Sequence, residues 1–320
     1  MSLDRQTILV TGAAGFIGSH LVDALLARGA RVRVLDSLAT GRRENLAHCA
    51  DRIEFVEADI RDVGACRDAC AGVAYVFHQA ALGSVPRSMK DPATSIAVNV
   101  GGTANVFAAA RESGVARIVY ASSSSVYGDS PRLPKREGEE GAPLSPYALS
   151  KVMDEELAAV FARCYSMELI GLRYFNVYGP RQDPDGAYAA VIPRFFKACL
   201  SGEAPVIYGD GSQSRDFTYV ADAVAANLLA AAAPASACGR AYNVAGGRQT
   251  SVNDLAQAVR EAVGGGPAPR REPPRPGDVL HSLADLSASE RELGYRPLVE
   301  LPEGLAKSLE HYRSVVGASS

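Results

Sequence analysis

No stretch of this chain approaches eighteen consecutive uncharged apolar residues, so nothing in it reads as a membrane-spanning helix. The opening residues, "MSLDRQTILVTGAAG", carry Asp4 and Arg5 and run directly into a strand-like segment. They lack the apolar core and small-residue cleavage site of a secretion signal, and a cytoplasmic location is expected. An excess of charge of one sign is missing too. The formal net charge of −3 gives no electrostatic case for nucleic acid or an anionic membrane as a partner. The six cysteines (Cys49, Cys66, Cys70, Cys164, Cys199, Cys238) form no CxxC pair, which favours reduced thiols over disulfides or a zinc site. The histidines are scattered, with no second His or Cys at ligand spacing, and no metal is expected.

Ordinary globular material remains: 320 residues, 47% hydrophobic and 22% charged, enough for one large or two medium domains with a buried core. The first half alternates apolar, β-branched runs ("TILVTG", "RVRVLD", "IEFVEAD", "AYVFHQAA", "RIVYASSS") with helical patterns. The clearest helices are expected over 16–28, 93–113 and 146–164. Continuous apolar strands spaced by helices predict a doubly wound parallel α/β sheet, with ligands at the carboxyl ends of its strands. After "LIGLRYFNVYGP" the pattern becomes mixed: "VIPRFFKACL" and "VADAVAANLLAAAA" read as helices and "PVIYGDG" as a strand. Segment 180–188 reads as a loop. The proline-rich stretch 264–278 reads as either a mobile linker or a ligand-facing loop.

Between the first strand and its helix, "TGAAGFIGSH" places Gly12, Gly15 and Gly18, with Phe16 and Ile17 opening the helix. Glycines permit the tight turn and let backbone N–H groups approach a pyrophosphate at the helix N-terminus. The next strand ends on Asp36, which can accept hydrogen bonds from ribose hydroxyls and would repel a 2′-phosphate. NAD is therefore expected rather than NADP; Arg42 and Arg43 are the alternative, as acceptors of that phosphate, against a solvated charged face. Asp59 either reaches the adenine or starts a helix.

The segment "LSPYALSKVMDEELAAVFARC" supplies candidate chemistry. Ser145 is the expected N-cap and Pro146 suits the first helical position. Tyr147 and Lys151, at i and i+4, then share one face. Leu149, Val152, Met153, Leu157, Val160 and Phe161 form an apolar stripe elsewhere. A tyrosine with a pKa near ~10 is a weak base at neutral pH, and an adjacent ammonium stabilises its phenolate. Such a pair can take a hydroxyl proton as hydride leaves the same carbon.

Taken together, "TGAAGFIG", "FHQAA", "SSSSVYG", "SPYALSK", "LRYFNVYGPRQ" and "SRDFTYV" resemble the extended short-chain dehydrogenase/reductase family. "PRPGDVLHSLAD" extends the resemblance to about residue 286. "HQAALGSVPRSMKDP" and "RYFNVYGPRQDPDGAYAAVIPRF" are similar to the family's bacterial UDP-N-acetylglucosamine 4-epimerases. The resemblance implies a Rossmann-like NAD-binding domain over 1–178, rejoined by about 214–246, and a smaller mixed α/β C-terminal substrate domain over 179–320. It implies a Ser123, Tyr147 and Lys151 triad, with Tyr127 packing near the carboxyl edge of the sheet. Ile60, Gln79, Ala80 and Ala81 join the cofactor site, and Lys151 also holds the nicotinamide ribose. On the UDP-sugar side it places Gly83, Ser84, Ser124, Ser125, Asn176, Gln182, Ala190 and Tyr208, with Arg215, Arg275 and Asp278 on the diphosphate and uridine ribose. A local Arg215–Asp216 salt bridge is the plainer reading of that pair.

Within the resemblance, 4,6-dehydratases carry acids before the "VYG" and UDP-glucuronate decarboxylases carry a glutamate there. This chain has Ser124 and Ser125 instead, and a hydroxyl cannot perform a carboxyl acid–base step. Epimerisation needs no such acid. Ser282, in the segment that limits the pocket at the sugar's C2, is small enough to admit an N-acetyl group. UDP-GlcNAc/UDP-GalNAc is thus the expected pair and UDP-Glc/UDP-Gal the slower one, while Arg87 raises a C6 carboxylate as an alternative. A non-catalytic NAD-binding regulator is the remote reading. A homodimer is implied, built from the helices near 95–113 and 146–164.

Overall fold

The computed structural model describes residues 3–185, 189–274 and 280–318. Its centre is a seven-stranded, wholly parallel sheet. In chain order the strands and helices of the first half are β1 (Thr7–Thr11), α1 (Phe16–Leu26), β2 (Arg31–Asp36), β3 (Ile53–Glu57), α2 (Val63–Cys70) and β4 (Tyr75–His78). Next come α3 (Val85–Lys90), α4 (Pro92–Ile96), α5 (Thr103–Glu112), β5 (Arg117–Ser123), α6 (Pro146–Tyr165) and β6 (Leu169–Tyr174).

The second half contributes β7 (Val177–Tyr178), α7 (Val191–Leu200), β8 (Val206–Tyr208), β9 (Ser214–Asp216), β10 (Thr218–Tyr219) and α8 (Val220–Ala232). It ends with β11 (Arg240–Val244), β12 (Gln249–Ser251), α9 (Val252–Val263), β13 (Arg270–Glu272), α10 (Ser287–Leu293) and α11 (Leu301–Ala318). Sheet order is β11-β6-β5-β4-β1-β2-β3, so the chain returns after α7 to add β11 beside β6.

β1, β4 and β6 are mostly apolar and buried along their length because both faces of the sheet are covered. One core contains Ile8, Val10, Phe77, Ile170 and Leu172 with residues of α1 and α8; the other contains Leu9, Val76, Phe107, Ile118 and Leu169. Each such side chain contributes roughly 1.5–3 kcal/mol by leaving water. A third core, with Phe196, Leu255 and Tyr312, joins α7, α9 and α11 beyond the sheet.

β1 leads to β2 and β3 on one side, while β4, β5 and β6 run out on the other. The crevice between the carboxyl ends of β1 and β4 is thus the switch point where ligands of such sheets bind. The segment expected as one helix over 93–113 is helical throughout, with a π turn at Ala97–Gly102. A Cβ at Gly102 would stand 2.4 Å from Cδ1 of Ile60, so glycine lets the helix close on the β3 side. Within 264–278, Arg270–Glu272 is β13, paired with β8. That part is neither linker nor free loop.

Candidate active site

The glycine turn lies in the β1–β4 crevice, and each glycine has its own reason. Gly12 has φ +67°, and a Cβ there would meet the Ala80 nitrogen at 2.6 Å and the Gln79 carbonyl carbon at 2.8 Å. Gly18 lets α1 sit on the turn, since its Cβ would fall 2.2 Å from the Gly12 oxygen. Gly15 is the N-cap of α1; it supplies no side-chain acceptor, and the first turn, opened by Phe16 and Ile17, holds no acid. The positive end of α1 thus keeps its N–H donors for an anion, and the cradle at Gly12 stays open to a close-lying ligand. These residues fit a dinucleotide.

Asp36 braces this turn. Its Oδ2 accepts from the Ala14 N–H at 2.9 Å and its Oδ1 from the Leu38 N–H at 2.8 Å. Burial raises its pKa against those two bonds. Each oxygen retains a lone pair for a ribose hydroxyl. Arg42 pairs with Asp183 at 2.6 Å, and Arg43 pairs with Glu57 while lying over the Phe55 ring. Both arginines are exposed and paired with exposed or half-exposed carboxylates, as a solvated charged face would have them.

Asp59 holds Arg61 through two side-chain bonds of 2.7 and 3.0 Å, and Arg61 keeps its pKa low. It does not start the helix. Asp62 does, accepting from the Ala65 N–H. Gln79 turns back into the fold, donating to Asn227 at 3.0 Å and accepting from the Tyr174 hydroxyl at 3.2 Å. Ala80 and Ala81 follow it, half-buried, at the crevice.

Ser145 caps α6 as expected, accepting from the Ala148 N–H at 3.1 Å, with Pro146 in the first turn. The Tyr147 N–H, one of the donors a helix start leaves over, goes to the Ser88 hydroxyl at 3.0 Å. Lys151 is 3% exposed, and its Nζ donates to the Ala121 carbonyl and the Asp154 carboxylate, both at 3.0 Å. Burial alone would lower the Lys151 pKa, but Asp154, Tyr147 and Glu155 together raise it, so the ammonium persists. Ser123 ends β5, and its Oγ accepts from the Ser125 N–H at 3.2 Å. Ser124 opens a 3-10 turn that reaches Tyr127, and α6 packs on both this turn and β5. The Ser125 hydroxyl is enclosed and has no hydrogen-bond partner among the described residues.

Tyr127, at the end of this turn, is turned into the core. It is 2% exposed, donates to Asn243 at 2.7 Å and accepts from Arg173 at 3.0 Å. Burial raises its phenol far above the ordinary value. Such a group keeps its proton.

Ser84 caps α3, accepting from the Arg87 N–H at 3.2 Å, and Gly83 is exposed beside it. Asn176, Gln182, Ala190, Tyr208 and Arg215 line a single cavity of about 860 Å³ with Arg194, Lys197 and Arg270. Ala190 precedes α7 without capping it, so another unfilled helix start faces this space. Arg215 donates to the carbonyls of Ser214 at 2.9 Å and Leu280 at 3.3 Å. The Asp216 carboxylate accepts from the Ala284 N–H at 3.1 Å. Ser282 is 9% exposed and donates its N–H to the Ser214 carbonyl, beside β9. Arg275 and Asp278 lie outside the described residues.

Asn99, Ser88 and Asp154 had no signal in the sequence reading. Asn99 accepts from the Leu82 N–H at 2.8 Å and donates to Ser150 at 3.0 Å, joining the π turn to the β4 loop and to α6. Only a residue's distant neighbours reveal such work. Asp23, His48 and Cys49 also come together, but His48 and Asp23 already bond at 2.6 Å and the buried thiol donates to the Leu46 carbonyl.

Residues 8–245 match the model of the NAD dependent epimerase/dehydratase family. A UDP-glucose 4-epimerase of Mycolicibacterium smegmatis is 44% identical over 312 residues, covering 96% of this chain and 98% of that protein. The solved UDP-N-acetylglucosamine 4-epimerase from Methanobrevibacter ruminantium, in complex with UDP-N-acetylmuramic acid, superposes with a TM-score of 0.93 at 37% identity, covering 98% of this chain and 99% of that one. The Thermus thermophilus UDP-glucose 4-epimerase complex with NAD gives 0.86 at 38% identity, covering 96% and 99%. The glycine turn, the Tyr147/Lys151 helix and these likenesses agree, and the chain belongs to the NAD-dependent epimerase/dehydratase family of extended short-chain dehydrogenases/reductases.

Proposed function

We propose that this member of the family is a UDP-sugar 4-epimerase whose preferred pair is UDP-GlcNAc and UDP-GalNAc, with UDP-Glc and UDP-Gal turned over more slowly. The observation that carries the reading is the combination at the end of β5. A buried, charged Lys151 stands one helical turn from Tyr147, and the facing strand end offers serines where a dehydratase or decarboxylase would need a carboxyl group.

In this reading Tyr147 takes the proton of the sugar 4-hydroxyl, and the Lys151 ammonium stabilises the phenolate. Ser123 hydrogen-bonds the 4-oxygen and relays the proton. Gly12, Gly15, Gly18 and Asp36 hold NAD, which when bound supplies the acceptor and then the donor of one hydride. The 4-keto sugar turns within the site and presents its opposite face before the C4–H bond re-forms. Tyr147 then returns the proton, and C4 is inverted with no net redox change.

The diphosphate fits beside Arg215, where Arg194 adds positive charge to the same cavity, Lys197 and Arg270 are paired with Asp185 and Glu272, and α7 presents its uncapped start. The small Ser282 supports the N-acetylated pair over the plain hexoses. Leu149, Met153 and Val160 support a homodimer: they are 43%, 39% and 39% exposed along one side of α6, a face that a second copy would cover. Incubation of the purified protein with UDP-GlcNAc, followed by proton NMR without added cofactor, is expected to show UDP-GalNAc. A 4-keto-6-deoxy product would move the chain to the dehydratases.

A further inference from the structure

Asp154 is 1% exposed on α6, and its Oδ2 sits 3.0 Å from Nζ of Lys151. A carboxylate so deep is costly unless it is paired, and here its partner is the ammonium of the proposed catalytic pair. The Thr103 hydroxyl of α5 lies near that carboxylate, whose Oδ1 has no hydrogen-bond partner among the described residues. Thr103 Oγ1 is also 2.9 Å from Nε2 of His78, and Nδ1 of His78 is 2.7 Å from Oγ1 of Thr11.

Thr11 Oγ1 also accepts from the Ala80 N–H at 3.3 Å. His78 thus bridges Thr103 of α5 and Thr11 of β1. Burial, and then the Lys151 charge, hold the His78 pKa down at about 3, so the ring stays neutral and bridges the two threonines with one donor and one acceptor nitrogen.

We infer that Asp154 is a positioning residue for Lys151, keeping its ammonium charged and in place and linking it through Thr103 and His78 to Thr11 at the cofactor turn. This rests on the reading of Tyr147 and Lys151 as the catalytic pair. The groups around Lys151 are few. Its own helix contributes Tyr147, Asp154 and Glu155; β4 contributes His78; and β5 contributes the Ala121 carbonyl. Tyr120 of β5 also faces the two acids, and its phenol is held protonated by burial. Glu155 is already committed to Arg173 of β6, at 2.7 and 2.9 Å. Asp154 is therefore the one carboxylate bonded directly to the ammonium among the described residues. Without it, burial acts on Lys151 against weaker opposition, and the amine loses its proton at lower pH.

The chain has five lysines, so ¹³C-lysine labelling gives a countable set of ε-carbon signals, with Lys151 assigned from Lys151→Met. In the wild type the Lys151 signal should stay protonated to the alkaline end of the folded range. In Asp154→Asn it should titrate lower by about one pH unit or more, and the alkaline limb of kcat should move with it. Asp154→Glu, which restores the charge, should bring both back toward wild type. Thr103→Val should shift both in the same direction by less, and it carries the test if Asp154→Asn does not fold. A Lys151 titration unmoved in the soluble variants, or a Glu variant that behaves like Asn, overturns the inference. The NMR titration needs no turnover: a wild type inert toward UDP-sugars would sink the epimerase reading and leave this comparison standing.

Discussion

The Tyr127 hydroxyl donates to Oδ1 of Asn243 at 2.7 Å, joining the turn after β5 to β11, 116 residues further along the chain. That bond ties Tyr127 to the fold, and the proposed mechanism gives it no catalytic part, although it follows the serine run directly. Tyr127→Phe leaves Asn243 and Arg173 each short of a partner and should cost about 1–3 kcal/mol in urea unfolding while kcat is largely kept. Tyr147→Phe should lower kcat by about 10²-fold or more with stability changed by less than ~0.5 kcal/mol. Equal losses of kcat in the two variants would contradict the assignment.

At the cofactor turn the expected failure is steric. Gly12→Ala adds a methyl 2.6 Å from a backbone nitrogen of Ala80 in a positive-φ conformation, and neither strand can move away within a parallel sheet. Purified Gly12→Ala protein should carry far less bound NAD than wild type, measured in the supernatant after acid precipitation. Wild-type NAD content would show that the crevice is not the cofactor site.

Asp216 gives a pH dependence of stability. It is fully buried, and burial raises its carboxyl pKa from 3.8 to about 6 against the pull of backbone N–H groups from Ala284, Arg248, Gly246 and Gly247. Between these two values the folded protein holds a proton that the unfolded chain has released. The contribution of this group to stability therefore falls as pH rises through that window and is lowest above about 6, by up to about 3 kcal/mol. Asp216→Asn should flatten that part of the curve of urea midpoint against pH. Parallel curves for wild type and variant would refute the shift.

Much of this arrangement was legible because it is local. The cap and first turn of α6 follow from Ser145 and Pro146, and the i, i+4 face from Tyr147 and Lys151. The glycine turn was readable for the same reason, since strand, turn and helix are contiguous. The apolar stripe of α6 was read as one face and is two: Val152, Leu157 and Phe161 pack inward, while Leu149, Met153 and Val160 are exposed. Adjacent apolar positions on a helix merge in a periodicity pattern, and only packing divides them. His78, Thr103 and Asp154 come from three separate elements, so no spacing in the sequence could have joined them to Lys151. Asp59 misled because Asp62, three residues on, satisfies the same capping rule.

The central claim is an internal, reversible oxidation at C4, and an isotope tests it most directly. UDP-GlcNAc carrying deuterium at C4 should yield UDP-GalNAc that keeps the deuterium at C4 with inverted configuration, read by deuterium NMR. Deuterium lost to solvent, or found at C6 of a deoxy sugar, would contradict the account.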